Sequence, residues 1–271
     1  MLVSLLNPHW PGRWWRTAQR WAVAWWRILY LGAVAMVLLL SPSSYGRQTR
    51  LRLMRRMYLD TAPILLGFTA LSALLCLVVA HIVNITARSY GLSRFALEMV
   101  IRVLVLELIP LTAALFVAMR CTIPAGARLT ALREGGRFAQ LRQQGVDPVR
   151  AEMLPLVVSG MYAAITLAAL SCVVALVMVY FSVYGFSLAG AVPYTRSFAR
   201  VFTPSVTLLF MMKTLLFSLV VALIPTASAM HRPFGLRAGA ALGPESEISG
   251  LARMFVVLLL IEILSLMGNY Y

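Results

Sequence analysis

The stretch that decides the fold is "LPLVVSGMYAAITLAALSCVVALVMVYFSVY", residues 154–184, which contains no Asp, Glu, Lys, Arg or His. An α-helix rises about 1.5 Å per residue, so about 20 apolar residues cross the ~30 Å hydrocarbon core of a bilayer. A lone strand is excluded there, because lipid cannot satisfy its backbone hydrogen bonds. The stretch therefore predicts a transmembrane helix.

The same pattern recurs along the chain and indicates its class. The 271 residues are 61% hydrophobic and 12% charged, with a mean hydropathy of +0.84, whereas a soluble domain is typically about 25% charged. We therefore predict an all-α polytopic membrane protein that forms a single membrane domain over 1–271. Besides 154–184, the predicted spans are 61–83, 97–119, 203–228 and 250–269.

The positive charge predicts an orientation in the membrane rather than a nucleic-acid partner. The net charge is +15, but the arginines lie near the N-terminus and between the apolar segments, as in proteins oriented by the positive-inside rule. The segment 120–152 is predicted to be cytoplasmic because of its arginines, whereas 84–96 carries few and should face outward. The resulting topology is N-in and C-out. The arginines of the cytoplasmic segment are Arg120, Arg128, Arg133, Arg137, Arg142 and Arg150.

All 6 tryptophans lie in the N-terminal segment. A helix over 14–27 places the indoles on one side and arginines on the other, which is typical of a helix lying in the membrane interface. The apolar run 28–40 that follows is too short to span alone. We therefore predict that 1–56 is an interfacial elbow segment, with a span across 21–40 as the alternative. The anchoring residues would be Trp14, Trp15, Trp21, Trp25, Trp26, Arg16 and Arg20.

Three ionisable residues lie deep within the predicted spans, namely Glu107, Lys213 and Glu262. Counted at about 1.5 Å per residue, all three lie near the bilayer midplane. An isolated charge there costs at least about 2.5 kcal/mol, so the three should pair or face a polar cavity. Two interpretations stay open: a structural ion pair, or a site for a lipid headgroup or other substrate. Pro110 should kink the second span beside Glu107.

The sequence contains no catalytic or metal-binding pattern. Its 3 cysteines lack paired spacing and its 3 histidines are scattered, so neither a disulfide framework nor a metal site is predicted. The glycines that a phosphate-binding loop needs are missing around Lys213. We therefore expect no enzyme activity and no bound cofactor, and any ATP hydrolysis would belong to another polypeptide.

An ordered set of short motifs resembles a known family. "LELIP" (106–110) begins an apolar helix that ends at Arg120, and "VDP" (146–148) precedes the third span. "RRMY" (55–58) precedes the first span, "MMKTLLFSLVV" (211–221) bears the lysine, and Glu262 lies in the fifth span. Together these motifs resemble the MlaE/YrbE-type permease family of lipid ABC transporters that work with MCE proteins.

This resemblance implies partners and a location. It implies a homo- or heterodimer with a second permease chain, a lipid cavity near the dimer interface, cytoplasmic ABC ATPase subunits that use ATP, and a periplasmic ring of MCE-domain proteins. Membrane lipids would move between the bacterial inner membrane and the periplasm or outer membrane. The segment 120–152 would couple to the ATPase through Arg133, Arg137, Leu141, Arg142 and Asp147.

The chain departs from the family pattern at charged positions. Leu106 stands where the family has an arginine before its glutamate, and Arg128 stands where the family has a loop glutamate. An arginine-rich docking surface needs an acidic partner. Two other functions remain as alternatives: an ion-coupled secondary transporter or channel that uses the midplane charges, and a scaffold in which those charges are structural. No inverted repeat is evident, which counts against the first of them.

Overall fold

The computed structural model describes residues 47–91, 93–230 and 244–270, together with shorter pieces between 23 and 38. Between 47 and 270 all the elements in the described ranges are helical. The α-helices are α1 Arg47–Ser89, α2 Ser93–Val100, α3 Ile109–Val117, α4 Ile123–Glu134, α5 Arg137–Gln143, α6 Leu154–Tyr184, α7 Ala191–Val201, α8 Pro204–Met230 and α9 Pro244–Tyr270.

Wide π-helical turns join several of these helices into longer rods. They cover Ile101–Leu108, Ala118–Thr122 and Val149–Met153, so that 93–134 is one continuous helix. Each turn is followed by a proline in the first two positions of the next α-helix, namely Pro110, Pro124 or Pro155. Proline lacks an N–H and clashes with the carbonyl one turn back, and the wider turn accommodates it. In the second span the wide turn therefore contains Glu107 and ends just before Pro110.

Five helices are long and apolar enough to cross a membrane. They confirm the five predicted spans, and most extend beyond the predicted bounds because the hydropathy pattern marks only the apolar centre of each helix. The basic residues from Arg47 onward, for example, already belong to the first long helix. The five candidate spans are Leu53–Ser89, Leu97–Glu134, Val149–Tyr184, Pro204–Met230 and Gly250–Gly268.

Contacts between the first three spans fix their relative directions. Near one end of the bundle the Ser159 hydroxyl donates to Asp60 Oδ2 at 2.8 Å. Near the other end Asn84 Nδ2 donates to the carbonyl of Ser182 at 3.3 Å. The first and third spans are therefore parallel. The second is antiparallel to both, because the Cys121 thiol in its C-terminal half contacts the Asp60 carbonyl, in the N-terminal half of the first span, at 3.6 Å.

The fourth and fifth spans continue the alternation. Arg133 Nη1 donates to the carbonyl of Met230 at 2.7 Å, whereas Lys213 pairs with Glu107 far from that end, so the second and fourth spans are parallel. A Cβ on Gly250 would meet Ser228, and one on Gly268 would meet Leu209, so the fifth span is antiparallel to the fourth. The up-and-down order agrees with the predicted alternation of segments.

The second span is the centre of the bundle. Of its most apolar window 61% is buried, compared with 22% in the first span and 11% in the fifth. Two apolar clusters pack along it, which we name after the predicted orientation: the outer cluster includes Leu104 and Ile109, and the inner cluster includes Ala113 and Phe217. Helix burial therefore converges on the stretch of the second span that contains Glu107.

The predicted elbow segment lies mostly outside the described residues, and this includes Trp14, Trp15, Trp21, Arg16 and Arg20. The described positions between 23 and 38 are helical. Ile28 and Leu31 are buried in the inner apolar cluster, while Trp26 is 73% exposed and Trp25 is half-buried. Ile28 and Leu31 therefore pack this segment against the bundle, and the course of the elbow along the membrane stays a prediction.

Candidate functional site

The three ionisable residues that are predicted to lie near the bilayer midplane meet in one cluster. Lys213 Nζ forms an ion pair with Glu107 Oε2 and a second one with Glu262 Oε2 at 2.8 Å. It also donates to the backbone carbonyl of Leu106 at 3.3 Å. One ammonium thus joins the second, fourth and fifth spans, as the sequence predicts for charges that share a depth. We call Glu107, Lys213 and Glu262 the charge cluster.

The charge cluster is enclosed by protein to different degrees. The side chains of Lys213 and Glu107 are 3% and 8% exposed, and that of Glu262 is 13% exposed. The Phe217 ring lies one turn after Lys213, with its centroid 5.6 Å from Nζ, and its face attracts the cation. Glu262 is the most accessible member, and it comes from the span with the least buried surface.

Local structure explains why Glu107 reaches the lysine. Glu107 lies in the wide turn Ile101–Leu108, one turn before the buried Pro110. Isolated π-helical turns inside α-helices are frequent at functional sites, since they shift the side-chain register. Lys213 lies on α8 between Phe210 and Phe217, which pack against the outer and inner apolar clusters respectively. The charge cluster therefore occupies the junction between the two clusters.

The stoichiometry of the charge cluster determines what it can do. With all groups ionised, two carboxylates face one ammonium, so the cluster retains one negative charge or takes up one proton. Breaking a buried ion pair by removing one partner is strongly destabilising, by about 3–5 kcal/mol, because it leaves an unpaired charge. An incoming anionic ligand that replaces one carboxylate at Lys213 would keep the ammonium paired, and the displaced carboxylate would avoid that cost by taking up a proton. The cluster is therefore suited to exchange between an internal partner and a ligand.

The predicted coupling residues fall into two groups. Arg137 and Arg142 are exposed on α5. Leu141, on the same helix, is buried, and Arg133 donates to the last turn of α8 through the Met230 carbonyl. The exposed pair is available to another subunit, whereas Leu141 and Arg133 hold the segment against the bundle. Contact with an ATPase stays a prediction for all of them.

A glycine ends α5, and an aspartate caps the helical turn that follows it. Gly145, with φ +73°, donates to the carbonyl of Arg142, and Val146 N–H donates to that of Leu141 at 2.9 Å. This is the Schellman arrangement that ends helices at a left-handed glycine. Beyond it Asp147 Oδ1 accepts from the backbone of Val149 at 3.0 Å, as an N-cap does. The "VDP" motif therefore starts the helical turn that leads into the third span.

A further polar group, which the hydropathy pattern does not reveal, lies at the end of the first span that is predicted to face the cytoplasm. Asp60 accepts from Ser159 and lies in a cavity with Arg56, Arg120 and Arg128. The positive-inside count treats these arginines as topology signals only. The pairing of helices that brings them together depends on contacts about 60–100 residues apart in the chain, as between Asp60 and Ser159. A pattern within one helix contains no such information.

The opposite end of the bundle contains the amphipathic helix α7, which lies between the third and fourth spans. Arg200 of α7 pairs with Glu98 of α2 at 3.2 Å. The Tyr194 hydroxyl donates to the Leu176 carbonyl at 2.8 Å, and burial, with a smaller contribution from Cys172, raises the pKa of Tyr194. The phenol therefore stays protonated and keeps α7 against α6.

Spans in alternating directions with a buried charge cluster at their centre define a multi-pass α-helical membrane protein. The family model described as Permease MlaE matches residues 53–267. The chain therefore belongs to the MlaE permease family, whose members are membrane subunits of transporters rather than catalytic enzymes. Among individual curated proteins no match is found.

Proposed function

We propose that this chain is the transmembrane permease subunit of an MCE-type ABC transporter. It moves phospholipids or related lipids between the bacterial inner membrane and the periplasm or outer membrane, and a separate ATPase subunit supplies the energy. The family match over residues 53–267 supports the transporter class. The observation that carries the proposal is the ion contact of Lys213 with both Glu107 and Glu262 inside a largely apolar bundle.

The charge cluster provides a way to couple lipid binding to helix movement. A phospholipid phosphate is an alternative partner for Lys213 Nζ, and Glu262 is the carboxylate with the greater exposure. When the phosphate replaces Glu262, the displaced carboxylate takes up a proton, so that no unpaired charge stays buried, and the fifth span loses its ion contact with the fourth. A ligand shifts a conformational equilibrium only through different affinities for the two states, and this exchange supplies such a difference. Glu107 stays paired and keeps Lys213 in place.

The proposed partners correspond to the two ends of the bundle. The exposed Arg137 and Arg142 on the segment after α4 would dock an acidic surface of the ATPase. α7 and the joint before it, with Phe186 94% and Leu188 86% exposed, would lie at the outer end near the MCE ring. A second permease chain would complete the lipid cavity.

Mild purification tests this assignment. We expect the chain, extracted from its native membrane in detergent, to copurify with an ATP-binding subunit, an MCE-domain protein and phospholipid, identified by mass spectrometry. Isolation of the chain alone, without lipid or either partner, would contradict the proposal.

The ion-coupled alternative makes a different prediction for the purified chain. A secondary transporter needs no ATPase, so the chain alone in liposomes would take up substrate when a proton gradient is applied. A permease subunit would show no such uptake, and would move lipid only together with its ATPase and ATP. The two liposome assays therefore separate the two functions.

A further inference from the structure

A polar cavity lies near the inner end of the bundle, away from the charge cluster. It has a volume of about 170 Å³ and lies between α1, the second span and α6. At about 30 Å³ per water molecule, it holds a small polar group rather than a whole lipid. Its charged lining consists of Arg56 and Asp60 from α1 and of Arg120 and Arg128 from the second span.

The carboxylate in the cavity is already engaged by its own protein. Asp60 Oδ2 accepts from the Ser159 hydroxyl at 2.8 Å and lies 3.6 Å from Arg56 Nε. The latter distance is too long for a hydrogen bond, and Arg56 Nε is buried without a hydrogen-bond partner. The guanidinium of Arg56 therefore has an ion-pair partner but an unused donor.

The two other guanidiniums give the cavity its positive excess. Among the described residues, Arg120 and Arg128 have no carboxylate within 4.0 Å. With Asp60 balancing Arg56, two positive charges remain facing the same cavity. Arginine binds phosphate through paired N–H donors in a planar fork. An anion with several acceptor oxygens would therefore balance the charge of this cavity and accept from its N–H donors.

The depth and the rim of the cavity favour a lipid as the source of that anion. Arg120 follows Glu107 by 13 residues, which is roughly 20 Å along the rod and reaches the headgroup level from a midplane cluster. Leu59, which lines the cavity, is 57% exposed, and Met119 beside Arg120 is 66% exposed. These apolar side chains can contact acyl chains, which free phosphate lacks.

We propose that this cavity binds the phosphate of an anionic glycerophospholipid from the cytoplasmic leaflet. Arg120 and Arg128 contact the phosphate oxygens, Arg56 supplies its free donor, and the acyl chains lie along Leu59 and Met119. A lipid with net negative charge neutralises more of the excess than a zwitterionic one does. The inference rests on the proposed function only for the leaflet, since that depends on the inward orientation of this end.

Equilibrium binding by the purified protein, without ATP, tests the cavity separately from transport. The probes are short-chain phosphatidylglycerol, short-chain phosphatidylcholine and inorganic phosphate, added to the protein in a non-ionic detergent. We expect Arg120→Gln combined with Arg128→Gln to weaken phosphatidylglycerol binding by at least about tenfold, because two charge-assisted contacts are lost. Wild-type protein should bind phosphatidylglycerol more tightly than either other probe.

Two further variants serve as controls. Arg55→Gln removes an exposed arginine next to Arg56 that does not line the cavity, and should change binding by less than about twofold. Arg120→Lys keeps the charge but not the planar fork, and should bind with intermediate affinity. A thermal melt of each variant shows that the comparison is made on folded protein.

Each contrary result overturns the proposal in its own way. Unchanged phosphatidylglycerol binding by the double variant would show that the cavity does not hold the lipid. Tighter binding of inorganic phosphate than of phosphatidylglycerol would assign the cavity to a free anion. Unchanged lipid binding with loss of the copurifying ATPase would assign it to a carboxylate of that subunit. A failure of ATP-driven transport, by contrast, contradicts only the proposed function, because the binding assay uses no ATP.

Discussion

Lys213 is the only lysine of the chain, and it is held at the most enclosed position of the charge cluster, 3% exposed. Its stem passes through apolar surroundings, and its ammonium lies between carboxylates from the two neighbouring spans. A charge in such a place is costly unless it is paired. Pairing therefore offsets the cost of burying Lys213, and the residue takes part in transport only if a ligand replaces one of its carboxylates.

Removal of the ammonium alone should weaken the bundle. We expect Lys213→Met to lower the free energy of unfolding by about 3 kcal/mol or more, because two buried carboxylates then face each other without a cation. The measurement is thermal or denaturant unfolding of the purified protein in detergent.

The matched control is the fully neutral variant Glu107→Gln, Lys213→Met, Glu262→Gln. It buries no unpaired charge, so most of the lost stability should return. If the single and triple variants were equally unstable, packing of the lysine stem rather than charge pairing would be the cause.

At the scale of elements, close approach between helices depends on small residues beside the wide turns. A Cβ on Gly160 of α6 would lie 2.8 Å from Thr122 Cγ2 and 3.4 Å from Ala222 Cβ. Thr122 is buried in the turn that precedes α4, so it cannot move aside easily. Gly160 therefore lets the third span pack against the second and fourth together.

A single added methyl group tests this packing. We expect Gly160→Ala to be less stable than Gly67→Ala by about 1–3 kcal/mol, the usual cost of overpacking. Gly67 lies within α1 and a Cβ there meets nothing within 4 Å, so both variants gain the same helix propensity. Melting temperatures of the two variants in one detergent make the comparison, and equal values would contradict it.

The limits of prediction from sequence also lie at this scale. Hydropathy identifies the five spans because each helix must satisfy its own backbone in lipid, and counting along each span brings Glu107, Lys213 and Glu262 to one depth. The wide turn at Glu107 could not be foreseen, since Pro110 signals a kink without specifying its form. The inner cavity was missed because Arg56, Asp60 and Arg120 converge only through tertiary packing.

At the scale of the whole molecule, the second span is the central helix. The charge cluster lies along it, between the outer and the inner apolar cluster. The second span is the most buried and the fifth the least, so the fifth is the span most free to move or to meet a second chain. Its ion contact with Lys213, through Glu262 at 2.8 Å, is the polar link that such a movement would break. We expect transport to require that Lys213 pairs with Glu262 in one state and with a ligand in the other.

Lipid transfer by the charge-neutral protein tests that claim most directly. Complexes purified with wild-type chain or with Glu107→Gln, Lys213→Met, Glu262→Gln are placed in liposomes, and ATP-dependent transfer of labelled phospholipid is measured. We expect the neutral variant to transfer lipid at least about tenfold more slowly, equivalent to about 1.4 kcal/mol, although it remains folded and keeps its ATPase. The control Glu98→Gln removes a carboxylate of the surface pair with Arg200 and should transfer lipid at the wild-type rate. Wild-type transfer by the neutral variant would contradict the account, because the charges would then be structural only.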